Sequence, residues 1–248
     1  MGAGPAIGGV IIASIGYDYL FYIDGITCIL AGVLMTQILN PKKVVELDSV
    51  APKENPLPPH KDRPYIWFLV AFGLFGIVFM QIFSLVPVYY REIHNLPEDT
   101  IGYLMGFNGL IIVIAEMPLI AWMESKQWSN LKNVIFGLVL TGISYALLLW
   151  DAYFGILMLM VVLITVGEMI VFPFSNKIAY DRAKLGKQGA YMGLYTMSFA
   201  VAHIFGHNGG MQITEKYGYD TTWLVLCGLT GVAIIILGAV YRNNQKVT

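Results

Sequence analysis

Charge is scarce in this sequence. Of 248 residues only 12% are Asp, Glu, Lys or Arg, while 57% are hydrophobic and the mean hydropathy is +0.66. A soluble domain carries about a quarter charged residues, so an ordinary water-exposed globule is excluded, and the apolar excess excludes a disordered chain. The formal net charge of −1 leaves no basic footprint for a nucleic acid. Cysteine is scarce too. Cys28 and Cys227 are the only two, each inside an apolar run, which excludes a disulfide framework or cysteine metal cluster and leaves both as packing residues. The opening run lacks a basic n-region, and glycines and Pro5 occupy what would be its apolar centre, so it does not read as a signal peptide.

What is present is a series of long uncharged runs. A bilayer core about 30 Å thick needs roughly 20 mostly apolar helical residues. Residues 64–90, 133–150, 188–214 and 221–241 contain no charge, and 19–41, 100–123 and 152–176 contain one acid each, Asp24, Glu116 and Glu168. With the glycine-rich run 1–17 this makes eight hydrophobic segments. Their unbroken apolar character excludes the alternation of a membrane barrel, so the chain is expected to be an all-α integral membrane protein in a lipid bilayer.

Orientation follows from basic residues. Arg91 and Lys216 stand on one side of the segments, leaving the other thirteen of fifteen Lys and Arg on the opposite side, in 40–63, 124–132, 175–189 and the tail. The positive-inside rule places those loops and the C-terminus in the cytoplasm and the chain in the cell (inner) membrane as a multi-pass protein. Trp67, Trp122, Trp128, Trp150 and Trp223 fall near segment ends as interface anchors. Residues 40–63, with Pro41, Pro52, Pro56, Pro58 and Pro59, cannot continue a helix and read as a cytoplasmic linker. Two segments precede it, in 1–39, and six follow it, in 64–248.

The motifs carry a resemblance. Gly4-Pro5-Ala6-Ile7-Gly8-Gly9 is similar to a Gly-Pro-x-x-Gly-Gly signature, Tyr19 to Gly25 to a helix start, and Gly167-Glu168-Met169-Ile170-Val171-Phe172-Pro173 followed by Gly189-Ala190-Tyr191-Met192-Gly193 to a helix–loop–helix passage. Together they resemble the fifth, sixth, tenth and eleventh helices of drug:proton antiporters of the major facilitator superfamily. The chain departs from that pattern at Gly206-His207-Asn208-Gly209-Gly210 and at the degenerate gating loop 124–132. The resemblance implies a C-terminal six-helix bundle plus two helices of an N-terminal bundle, the first truncated at Met1, with the missing N-terminal helices as a required partner. It also implies alternating access around a central site, with Gly4, Pro5, Gly8 and Gly9 packing against the C-terminal bundle.

Ionisable groups inside a membrane are costly and functional by default. Glu168 and Glu116 lie at similar depth on two segments of the same direction, and a carboxyl group held inside a span is suited to proton exchange. Glu168 shares a helical face with Thr165 and Ser175 and is the first choice for the proton or substrate group. Asp24, near a segment end, reaches water. His203 and His207 stand four apart on one face, the spacing of zinc-protease ligands, but Ile204 stands where that motif needs glutamate. They are therefore read as substrate or proton groups or as hydrogen-bonding partners of a neighbouring helix. Asn208, Asn108 and Gln81 are polar groups inside segments, as site residues or as helix glue. Pro87, Pro118 and Pro173 predict kinks, and the pairs Gly102/Gly106, Gly189/Gly193 and Gly206/Gly210 predict close helix crossings.

The expected function is secondary active transport of a small amphipathic or hydrophobic solute, with efflux driven by proton entry. The alternatives are a proton-coupled importer of peptides or similar solutes, and a non-transporting half-transporter. No Ser/His dyad and no complete metal motif suggests an enzyme, a metal site or a cofactor.

Overall fold

The computed structural model describes residues 17–38, 57–150 and 153–245. It divides into two units, Met1–Pro52 and Lys53–Thr248. In the first, α1 (Tyr17–Ile38) is a helix of 22 residues carrying Asp24, in which Thr27 and Thr36 return their hydroxyls to the carbonyls of Asp24 and Val33. The Gly4, Pro5, Gly8 and Gly9 motif, residues 1–16 of the segment to which it belongs, and most of the 40–63 linker lie outside the described residues.

The second unit begins with a 3-10 turn, Pro59–Lys61, followed by six helices: α2 (Arg63–Glu92), α3 (Glu98–Ser125), α4 (Asn130–Leu147), α5 (Phe154–Ala183), α6 (Gln188–Tyr217) and α7 (Tyr219–Gln245). No strand occurs among the described residues. Each of the seven apolar runs from residue 19 onward becomes one helix, because a backbone in lipid must bond to itself. The helices overrun the runs by up to seven residues, so that α5 continues through Lys177, Asp181 and Arg182 into water-compatible sequence. Pro87, Pro118 and Pro173 each lie inside an uninterrupted helix.

Five helices, α2, α3, α4, α5 and α7, are long and apolar enough to cross a membrane. The run 188–214, expected as a clear span, forms a 30-residue helix but is not among them, since His203, His207, Asn208, Gln212 and its glycines dilute its apolar character. Burial sorts the rest. In its most apolar stretch α2 is 72% buried and α3 only 17%, so α2 runs through the middle of the bundle while α3 leans on α5.

Packing is tightest where side chains are missing. A methyl group on Gly137 of α4 would collide with Val171, and one on Gly167 of α5 with the Thr141 hydroxyl, which fixes the α4–α5 crossing. Gly76 lies against Ala202 at the α2–α6 crossing. Of the expected glycine pairs, Gly206/Gly210 does meet a neighbour, α2 at Ile77, Met80 and Gln81. Gly102/Gly106 and Gly189/Gly193 instead face open space, because α3 and the start of α6 present those faces outward. An aromatic seam joins α2, α5 and α6, with Phe72 stacked on Tyr195 at 4.6 Å and Phe172 edge-on to Phe79, Phe75 and Phe199 at 5.0–5.4 Å. Such pairs add about 0.5–1.5 kcal/mol each beyond area burial.

The two ends differ in charge. At the basic end Lys177 pairs with Glu124 at 2.8 Å and Lys132 lies over the Tyr241 ring. At the other end the Tyr219 hydroxyl donates to Glu92 at 2.7 Å, and α6 passes into α7 through Gly218 alone, at φ +84.

Candidate functional site

Glu168 is buried midway along α5, 5% exposed. The Asn108 amide of α3 donates to the Glu168 carboxylate at 2.8 Å and to the Thr165 hydroxyl at 2.8 Å, while Thr165 donates to the Val161 carbonyl. Asn108 and Thr165 are buried too. Thr165 and Glu168 reach one partner because residues three apart share a helical face. Among the described residues no salt bridge reaches Glu168. Among the described residues Glu116 and Tyr145 are titratable groups near enough to interact with it through space. A carboxyl group so placed has one neutral donor and, among the described residues, no ion-pair partner, an arrangement able to take up or release a proton without breaking an ion pair.

The structure thus brings Glu168, Asn108 and Thr165 together. Glu116 is half-buried on α3 and makes no direct bond to Glu168; two turns of α3 separate it from Asn108, whose amide holds the contact. His203, His207 and Asn208 are exposed on α6, away from this cluster, with His203 meeting Phe199 edge-on. Gln81 joins α2 to α6: its amide donates to the Ile77 and Gly206 carbonyls, at 3.0 and 2.6 Å, and accepts from Ser84. It fills the space that Gly206 and Gly210 leave.

A second buried acid was not singled out from the sequence. Asp62, 3% exposed, caps α2 by accepting from the Tyr65 backbone N–H, and receives the Arg182 guanidinium at 3.3 Å on both oxygens and the Tyr191 hydroxyl at 3.3 Å. The Tyr65 hydroxyl donates to the Tyr191 carbonyl at 2.7 Å, and the Leu57 N–H to the Leu185 carbonyl. The end of the linker, the end of α5 and the start of α6 are therefore tied in one knot. Its sequence signal is local: an aspartate two residues before Pro64, the residue types favoured at a helix cap and first turn.

At the opposite end, outside the spans, His94 packs edge-on to Tyr89 at 5.0 Å, and burial holds its imidazole below the usual histidine range. Its Nε2 has no partner among the described residues, and the same holds for Trp223 Nε1, the Asn133 amide and the Ser175 hydroxyl. No group of three or more His, Cys, Asp or Glu suited to a metal ion occurs among the described residues.

A family model of the Major Facilitator Superfamily matches residues 1–207. The uncharacterised MFS-type transporter YttB of Bacillus subtilis (strain 168) is 24% identical over 240 residues, 93% of this chain and 58% of that protein. A Na(+), Li(+), K(+)/H(+) antiporter of Planococcus maritimus is 22% identical over 197 residues, 73% of this chain and 44% of its own. A second uncharacterised MFS-type transporter of Bacillus subtilis (strain 168), YqjV, is 23% identical over 193 residues, 76% and 46% of the two chains. The chain spans about half the length of the curated relatives it matches.

Proposed function

Because the chain belongs to the major facilitator superfamily, we propose that it forms part of a secondary active transporter that exchanges protons for a small amphipathic or hydrophobic solute and moves that solute outward. The observation that carries this reading is the buried Glu168, held by Asn108 and Thr165 without a counter-charge. Residues 64–248 act as one bundle, 1–39 as two helices of the other, and 40–63 as their link. The bias of basic residues supports a cell-membrane protein with its C-terminus on the cytoplasmic side. Protonation of Glu168 neutralises a charge inside the bundle, and only the neutral form is cheap to move past lipid-facing or apolar surfaces. That difference lets the proton bias one conformation over another. Phe172, four residues beyond Glu168 on α5, meets Phe79, which meets the half-exposed Phe83 on α2, an aromatic surface suited to an apolar cargo.

The named exchange of the Planococcus relative supports proton coupling and offers a second cargo, a monovalent cation. One experiment tests both. Everted membrane vesicles containing the full-length protein are acidified by respiration, and the collapse of the pH gradient is read by acridine orange after adding ethidium, NaCl, LiCl or KCl. The expected result is collapse with at least one of these and a loss of tenfold or more in Glu168→Gln. Full exchange in Glu168→Gln overturns the role of Glu168, and exchange with a salt but not with ethidium moves the cargo to the cation.

A further inference from the structure

Three polar residues of α5 fall on one seam. Glu168, Ser175 and Arg182 are seven residues apart in turn, so each step spans two helical turns, about 10.5 Å, with little change of face. The first is the buried acid. The last belongs to the Asp62 knot and reaches water, its side chain 26% exposed. Ser175 lies between them, completely buried, and its hydroxyl has no partner among the described residues.

That orphan hydroxyl is unusual. Buried serines and threonines of this bundle return their hydroxyls to a carbonyl one turn back: Ser84 to Met80, Thr141 to Gly137, Thr165 to Val161, Thr230 to Leu226. Ser175 makes no such bond, although buried polar groups are nearly always paired. It keeps one donor and its acceptor capacity available on the seam.

We propose that Ser175 is the relay point of a proton path between Glu168 and the Asp62–Arg182–Tyr191 knot at the basic end. The inference rests on the reading of Glu168 as the proton-exchanging group. Steps of about 10.5 Å are too long for direct hydrogen bonds, so water entering from the basic end completes each step. On release, the Glu168 carboxylic acid gives its proton to a water and becomes a carboxylate. Ser175 takes a proton from the water on one side as it gives its own to the water on the other, so the hydroxyl is unchanged and one proton leaves to bulk water. Uptake is the same sequence reversed. The Asp62 carboxylate offsets the Arg182 charge at the mouth, removing a positive barrier that would repel the proton. Other titratable groups along the way include Glu116 and Tyr145 near Glu168, the exposed Lys177–Glu124 pair beyond Ser175, and Tyr65 and Tyr191 at the mouth.

The test uses the full chain in lipid nanodiscs and the protonated-carboxyl stretch seen by infrared spectroscopy, assigned as the band that Glu168→Gln removes. On transfer to D2O, Ser175→Ala is expected to slow deuterium exchange of that band fivefold or more while leaving its equilibrium pH titration in place. Ser175→Cys, nearly the same size with a weaker donor and acceptor, is expected to slow it too, and Ser175→Thr to restore it. Exchange at the wild-type rate in both Ser175→Ala and Ser175→Cys overturns the path. A spectrum in which Glu168→Gln removes no band overturns the Glu168 reading itself, a different failure.

Discussion

Two buried acids of this molecule are served in opposite ways. Asp62 receives a guanidinium on both oxygens, a backbone N–H and a phenol, whereas Glu168 receives a single amide N–H and no cation among the described residues. Burial is nearly equal, 3% and 5% exposed, so burial does not distinguish them. Partners do. An acid with charged and neutral donors on every side holds three chain segments in place, while an acid with one neutral donor keeps the freedom to change its protonation state. Anchor and exchanger are separated by coordination.

The sharpest break of that comparison is thermodynamic. Asp62→Ala leaves Arg182 with a lost partner, and loss of one member of a buried pair costs about 3–5 kcal/mol, at the low end here because the guanidinium is partly solvated. Glu168→Gln keeps the bond to Asn108 and is expected to stay within about 0.5 kcal/mol of wild type. Denaturant titration in detergent checks both, and equal stability of the two variants would erase the distinction.

A second test sharpens the Glu168 side. Asn108→Ala strands the buried Glu168 carboxyl and should cost about 1–3 kcal/mol, with part of that cost recovered in the Glu168→Leu background. A double-mutant cycle measures the coupling; strict additivity would mean that the 2.8 Å contacts carry no energy. Glycines offer a third. Gly167→Ala should overpack the α4–α5 crossing by about 1–3 kcal/mol, whereas Gly189→Ala, which faces open space, should change melting little.

The smallest effect lies at His94. Its folded-state pKa is depressed by burial, so the unfolded chain binds its proton first as pH falls. The stability it contributes is therefore complete above about pH 6.5 and declines as pH drops through and below that value. His94→Gln should flatten the melting temperature between pH 7 and 5, and an unchanged slope would show that other groups set it.

Much of the fold was legible because lipid imposes a coarse code. An uncharged run of about 20 residues has one stable form, and charges such as Arg63, Arg91 and Lys187 mark where it ends. Overruns were less legible: nothing apolar signals that α5 continues to Ala183, since Lys177 and Arg182 are held by Glu124 of α3 and by Asp62, the cap of α2. At the site, Glu168 stands out in sequence because a lone acid in a span is costly. Its partner does not. Asn108 sits 60 residues away, and only the α3–α5 packing selects it over Glu116, which sequence depth alone pairs with Glu168. The Asp62 knot joins residues 120 to 129 apart, beyond any local pattern.

Gly218 has a mechanical meaning. It is the sole residue between two helices of 30 and 27 residues, its φ of +84 is open to glycine alone, and a hydroxyl pair from Thr214 to Thr222, at 2.8 Å, staples the joint across it. Helices joined so tightly cannot slide apart at that end; they can only turn about it. With an arm of about 45 Å, a swing of about 10° displaces the far end of α6 by about 8 Å, and the far end is where Tyr191 grips Asp62. The fulcrum and the catch of this lever therefore lie at opposite ends of one helix, so a small rotation at Gly218 is felt as a large displacement at the Tyr191–Asp62 bond.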